Sequence, residues 1–264
     1  MTANLIGKLR RGRAKVEYMK KDKKRVAQNP GYRIVSMENP LSPAAEAFRR
    51  LKVSLDFLGV DEKLQVMQVC SAVQGEGKTT VLLNLGAIYA EDGKKVLFID
   101  LDLRRPRLHR AFKIENKLGI ADYLAGYAKA EEIVKHVSAN IDLINCGIKA
   151  PYPTSVLGSQ QLKNLVEDMR GRYDIILIDC PPVLTVTDAC ITSRLTDGTI
   201  FVVSASTTEK AAAKEAVSVF RQNNIRILGC VMTEVSCGLR GSFYYNNTLK
   251  YYNANYGDGG TAGN

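Results

Sequence analysis

From Leu64 onward the chain alternates short, nearly uninterrupted apolar runs with longer stretches in which apolar residues recur every three or four positions. The runs "LQVMQVCSA", "KKVLFID", "IDLINCG", "YDIILID", "GTIFVVSAS" and "IRILGCVMTEV" predict strands. Those rich in Ile and Val lack the in–out alternation of a half-exposed sheet, as expected where both faces are buried. Between them, "KTTVLLNLGAIYAEDG", "SQQLKNLVEDMRGR" and "TEKAAAKEAVSVFRQNN" predict helices. Strands alternating with helices predict an α/β fold: a doubly wound, mostly parallel sheet covered on both sides.

A further helix precedes the first strand. Ser42 suits the cap, Pro43 the first helical position and Glu46 the positive N-terminal end, while Phe48, Leu51, Leu55 and Leu58 share one face and Gly59 stops it. After Gly238 the pattern ceases. The chain therefore divides into a lead-in (1–40), a folded unit (41–237) and a flexible tail (238–264).

Charge changes the picture mainly at the N-terminus. The net charge is +10, and Lys8, Arg10, Arg11, Arg13, Lys15, Lys20, Lys21, Lys23, Lys24 and Arg25 crowd the start against Glu17 and Asp22. Such an arm either stays solvated and disordered or meets anionic lipid through residues 8–25. Nucleic acid is not expected, because Tyr18 is the one aromatic in the run and no base-reading module follows. The six cysteines are scattered, with no C-x-x-C pair, and read as buried thiols in a reducing compartment. No apolar stretch approaches the ~18 residues of a membrane span. The expectation is a cytoplasmic protein whose membrane contact is peripheral.

The chemistry is concentrated in three places. "AVQGEGKT", Ala72–Thr79, fits a phosphate-binding loop between a predicted strand and a predicted helix. Gly75 and Gly77 let the backbone turn its N–H groups inward, and Gly75, Glu76, Gly77, Lys78, Thr79 and Thr80 are the expected nucleotide-binding residues. Lys78 supplies a point charge for the β and γ phosphates, and the Thr79 hydroxyl can ligate Mg²⁺. Asp100 closes the strand of "VLFIDLDLR", with Asp102 two residues on, and Asp179 closes "IILIDCPP" before Pro181 and Pro182. Ligands of open α/β sheets bind beyond the carboxyl ends of the strands, so the three carboxylates should converge on the loop. Three acids beside a triphosphate require a cation between them, which points to Mg²⁺.

"QGEGKTT", "VLFIDLDLRRPRLH" and "IILIDCPP", followed by "YYNNTLKYYNANY", closely resemble the bacterial tyrosine kinases of capsule and exopolysaccharide synthesis. "APYPTSVLGS" is similar to that family's Pro-rich loop. The resemblance spans roughly residues 35–264. It implies an ATP-dependent tyrosine kinase that phosphorylates its own tail in trans at Tyr244, Tyr245, Tyr251, Tyr252 and Tyr256. It further implies a kinase separate from its membrane-anchored activator, and assembly into a ring-like homo-oligomer. Lys78, Asp100, Asp102 and Asp179 are the expected catalytic residues. Thr79, Asp102 and Asp179 are the expected metal set, with either Asp100 or Asp102 taking the phenol proton. Arg104, Arg105 and Arg107 either neutralise phosphate, contact a neighbour or form a plain charged loop.

Two departures stand out. The family's Glu-x-x-Arg-x-x-Arg oligomer motif reads Glu46, Arg49 and Lys52 here, so the row serves either a neighbour or a surface ion-pair network. Thr233 stands where an asparagine usually lies near the adenine. The rival reading, a partition- or Min-type ATPase switch, carries a second lysine early in the loop, where this chain has Val73 and Gln74.

Overall fold

The computed structural model describes residues 32, 34–60, 62–147 and 156–235. The basic arm at 8–25, most of the Pro-rich loop and the tail with its five tyrosines lie outside the described residues.

Seven strands form one sheet: β1 (Val66–Ser71), β2 (Val96–Asp100), β3 (Val134–Ser138), β4 (Ile141–Ile144), β5 (Ile175–Asp179), β6 (Gly198–Ser204) and β7 (Ile227–Thr233). Their order is β3-β4-β2-β5-β1-β6-β7. Every pairing is parallel except the hairpin of β3 with β4. β2, β5 and β1, the strands that end in the three motifs, are adjacent at the centre of the sheet. All residues of these three strands are buried, which accounts for their lack of alternation.

Four longer helices cover the sheet: α1 (Pro43–Leu58), α2 (Lys78–Glu91), α3 (Gln160–Arg170) and α4 (Lys210–Gln222). α1 starts as its sequence predicts, with the Ser42 hydroxyl accepting the Ala45 N–H at 3.2 Å and Pro43 in the first turn. α2 is apolar nearly all round because it lies between the sheet and α1, so residues on every side of it are buried. α3 and α4 are amphipathic, burying Leu162, Leu165, Val166 and Met169 on one and Ala216 and Phe220 on the other.

Two apolar cores result, one on each face. Leu82, Leu85, Phe98, Leu143 and Leu177 belong to the face under α2, and Leu97, Ile99, Leu165, Ile178 and Phe220 to the other. Truncating Leu85, fully buried, to alanine costs about 2–5 kcal/mol.

The strand β3 is absent from the sequence reading. It pairs antiparallel at the sheet edge and is half-exposed, with Lys135 and His136 in its middle. An edge strand with charged residues lacks the apolar run that marks its buried neighbours.

Candidate functional site

The site forms where β1, β2 and β5 end. The register sets Asp100 of β2 directly beside Asp179 of β5. Beyond β1 the chain turns through Gly75 (φ 93°) and Gly77 (φ 87°), left-handed positions that glycine adopts without strain. A side chain on Gly77 would also meet Thr233 Cγ2 at 3.1 Å. α2 then begins at Lys78 with no side chain capping it, which leaves its first N–H groups directed at the space over the loop.

Glu76 is buried and points away from that space. Its carboxylate accepts the Val73 N–H at 2.9 Å and the Thr208 hydroxyl, and its carbonyl accepts the Thr233 hydroxyl at 2.8 Å. Glu76 therefore shapes the loop, and any contact it makes with a ligand comes from its backbone. The Thr233 hydroxyl is committed to this same loop.

Lys78 Nζ lies 3.2 Å from Asp179 Oδ1 and 3.3 Å from Asp102 Oδ2, and the Thr79 hydroxyl donates to Asp179 Oδ2 at 2.8 Å. Burial alone would lower the Lys78 pKa, but the charges of Asp179 and Asp102 outweigh it and hold the ammonium above its ordinary value. Burial raises Asp179, against the opposing pull of Lys78 and Thr79. Burial and the neighbouring Asp179 push Asp100 up to about 7.

Asp100 and Asp102 have different surroundings. Asp100 accepts the N–H groups of Arg107 at 3.0 Å, Leu108 at 3.1 Å and Asp102 at 3.2 Å, which shapes the loop after β2. Asp102 lines a cavity of ≈ 310 Å³ together with Gly75, Gly77, Lys78, Thr79 and Thr80. Neither Asp100 nor Asp179 is among the lining residues, but Asp179 is joined to Lys78 and Thr79, which are. The same cavity is bordered by Gln74, Arg104, Arg105, Arg107 and Pro181–Pro182, and by Tyr32, Thr185 and Val186, which the sequence did not single out. Arg104 holds Asp188 through Nε at 2.9 Å, and Arg105 donates to Gln74 at 2.6 Å.

Thr79, Asp102 and Asp179 bring oxygens to the spot where the Lys78 ammonium already sits as a cation. That donor set suits Mg²⁺, which takes one or two protein oxygens and completes its shell with phosphate and water. Among the described residues no cluster of three or more His, Cys, Asp or Glu side chains forms a metal site of its own.

The Glu46, Arg49 and Lys52 row lies on α1 facing the end of α2. Lys52 pairs with Asp56 at 2.7 Å and Asp92 at 2.8 Å and sits 5.4 Å from the Tyr89 ring centroid. Arg49 donates to the Pro40 carbonyl at 2.8 Å and lies 3.7 Å from Glu46 and 3.8 Å from Glu91. The Lys52 charge is thus used within the chain.

Cys70, Cys146 and Cys180 are buried, and burial pushes the Cys70 thiol up to about 12. Cys230 is exposed on β7, unlike the expectation for it.

Residues 65–219 match the AAA domain family. The chain is 32% identical over 216 residues to tyrosine-protein kinase YwqD of Bacillus subtilis strain 168, covering 81% of this chain and 91% of that protein. It is 30% identical over 202 residues to tyrosine-protein kinase etk of Escherichia coli strain K12, covering 76% of this chain and 28% of that longer protein. The solved kinase domain of Escherichia coli ETK superposes with a TM-score of 0.73 at 29% identity, covering 78% of this chain and 83% of the domain. The chimerical protein CapA2B2 superposes with a TM-score of 0.72 at 29% identity, covering 75% of this chain and 88% of that one.

Proposed function

Because this chain belongs to the bacterial tyrosine kinases, we propose that it transfers the γ-phosphoryl group of ATP to Tyr244, Tyr245, Tyr251, Tyr252 and Tyr256 of a neighbouring copy. The observation that carries this reading is the convergence of Lys78, Thr79 and Asp102 at one cavity beside the phosphate loop, with Asp179 buried behind them and bonded to Lys78 and Thr79.

Catalysis in this reading is positioning and charge neutralisation. The loop N–H groups and Lys78 hold the β and γ phosphates. Asp102, the carboxylate that lines the cavity, takes the phenol proton, while Asp100 fixes the loop that presents it. Thr79 and Asp179 hold Mg²⁺, with Asp102 beside them. The ion supplies neutralisation of charge on the phosphate oxygens.

The tail suits a substrate. Its Gly- and Asn-rich sequence has few aliphatic groups to offset ordering entropy, and each transfer adds about −1.5 to −2 charges at pH 7. Successive phosphates repel one another, so a phosphorylated tail leaves the site and loosens the assembly.

The output is control of capsular or exopolysaccharide synthesis and export from the inner face of the membrane. Among the described residues no helix is long and apolar enough to cross a membrane, which fits recruitment by a membrane-anchored activator. The likeness to a chimerical protein fits a kinase that works beside a second polypeptide.

Incubation of the purified chain with ATP and Mg²⁺, followed by mapping of phosphotyrosine, tests the reading. Phosphate is expected within residues 244–256. ATP hydrolysis without phosphotyrosine would instead favour a nucleotide-driven assembly switch.

A further inference from the structure

The two edges of the sheet are built differently. β3, at one edge, carries Lys135 and His136 at its centre, polar groups that discourage pairing with a further strand. β7 forms the other edge, and among the described residues no strand lies beyond it. Its seven residues, Ile227–Thr233, include no charged side chain and no proline. Cys230 is exposed, Met232 is 59% exposed, and Val235 just past the strand is 58% exposed. An uncharged, apolar edge of this length is a template for another strand.

The backbone shows which groups are on offer there. The Thr233 carbonyl accepts the Ala205 N–H at 2.9 Å, so Thr233 turns its polar groups toward β6. Successive residues of a strand turn theirs to opposite sides. Met232, and Cys230 two residues before it, therefore direct their N–H and C=O groups over the open edge.

From this we propose that the outer edge of β7 is the docking surface of the chain's own tail, with residues 242–248 added as an antiparallel strand. Two observations name this occupant. The first is how the chain leaves β7: Glu234 takes a left-handed φ of 53°, which breaks the extended path, and its carboxylate accepts the hydroxyls of Ser204 and Ser206. The second is continuity, since residues 236–264 follow directly from that turn. Gly238 and Gly241 suit a reversal, and Phe243, Tyr244 and Tyr245 are strong strand formers in a run without charge from Ser242 to Leu249.

The docking stands independently of the kinase reading, but its consequence rests on that reading. β7 ends beside the phosphate loop, where the Thr233 hydroxyl donates to the Glu76 carbonyl at 2.8 Å. A strand returning along β7 carries Tyr244 and Tyr245 away from that loop and withholds them from a neighbour's site. A phosphate on either adds about −1.5 to −2 charges to an apolar edge and opposes redocking.

Amide hydrogen exchange of the full-length, dephosphorylated chain, resolved to single residues, reads the edge directly. The comparison is the full-length variant Phe243→Pro with Tyr244→Pro, since one of two consecutive residues must present its N–H to β7 in any register. The Cys230 and Met232 amides are expected to exchange more slowly in the wild type, by on the order of tenfold. The Val231 and Thr233 amides, which face β6, should exchange alike in both proteins and show that both are folded. The protection should not change on dilution. Equally fast exchange at Cys230 and Met232 in both proteins would overturn the inference. Protection that survives the two prolines would give the edge to another occupant, and protection lost on dilution would give it to a second copy; either overturns it. Incubation of the wild type with ATP and Mg²⁺ should then abolish the protection. Protection that persists with no phosphotyrosine formed would leave the docking standing and overturn the kinase reading.

Discussion

The Asp102 N–H donates to Asp100 Oδ1 at 3.2 Å, so one carboxylate of the Asp-x-Asp pair positions the other. Asp100 spends both oxygens on three backbone N–H groups, whereas Asp102 accepts one, from Arg105 at 3.0 Å, lines the cavity and gives its other oxygen to Lys78. The pair should therefore separate by phenotype. Asp102→Asn is expected to lower phosphoryl transfer by about 10²–10⁴-fold, the usual contribution of a general base, with little loss of stability. Asp100→Asn leaves at least one buried N–H without its acceptor and is expected to cost about 1–3 kcal/mol of stability. Denaturant melts and single-turnover rates on both variants check the split. Equal effects on both readouts would refute it.

The same geometry predicts a pH signature. Asp100 has its ordinary value of 3.8 when unfolded and about 7 when folded, raised by burial and by Asp179. Between these values the folded state keeps a proton that the unfolded state has released, so this residue's contribution to stability falls as pH rises from about 4 to about 7. Below about 4 both states are protonated and the contribution is flat. In Asp100→Asn it is absent, so the stability difference should move in the variant's favour across that window, by on the order of a few kcal/mol. Urea midpoints measured at pH 4 to 8 read this directly. Parallel curves for the two proteins would contradict it.

The row on α1 makes a third prediction. Lys52 is engaged by Asp56, Asp92 and the Tyr89 ring, while Glu46 and Arg49 keep about a quarter to a third of their side chains exposed. Lys52→Met is expected to cost about 1 kcal/mol of stability and leave the solution mass unchanged. Reversing both charges, Glu46→Arg with Arg49→Glu, is expected to lower the mass seen by light scattering. An oligomer that survives this reversal would return the whole row to a role within the chain.

The sheet centre was legible because its strands are buried on both faces, and the glycine loop because its chemistry admits few residues. Asp100, Asp102 and Asp179 could be placed at strand ends from the apolar runs they terminate. Their division of labour could not, since it depends on where the Arg107 and Leu108 N–H groups turn. β3 was missed for its charged centre and edge position. Lys52 was read as a candidate intersubunit charge because its partner Asp92 lies 40 residues away on the end of another helix. Tyr32 had no local signal at all: it lies at the cavity wall through a tertiary contact invisible to periodicity.

The central claim is that this cavity is the phosphoryl-transfer site, and Lys78 is the residue whose loss tests it most directly. Its ammonium bridges Asp102 and Asp179 and faces the phosphate loop. Lys78→Met should weaken ATP binding in titration calorimetry and reduce phosphotyrosine after incubation with ATP and Mg²⁺ by roughly 10²–10³-fold or more. Wild-type levels of phosphotyrosine in a folded Lys78→Met protein would contradict the assignment of the site.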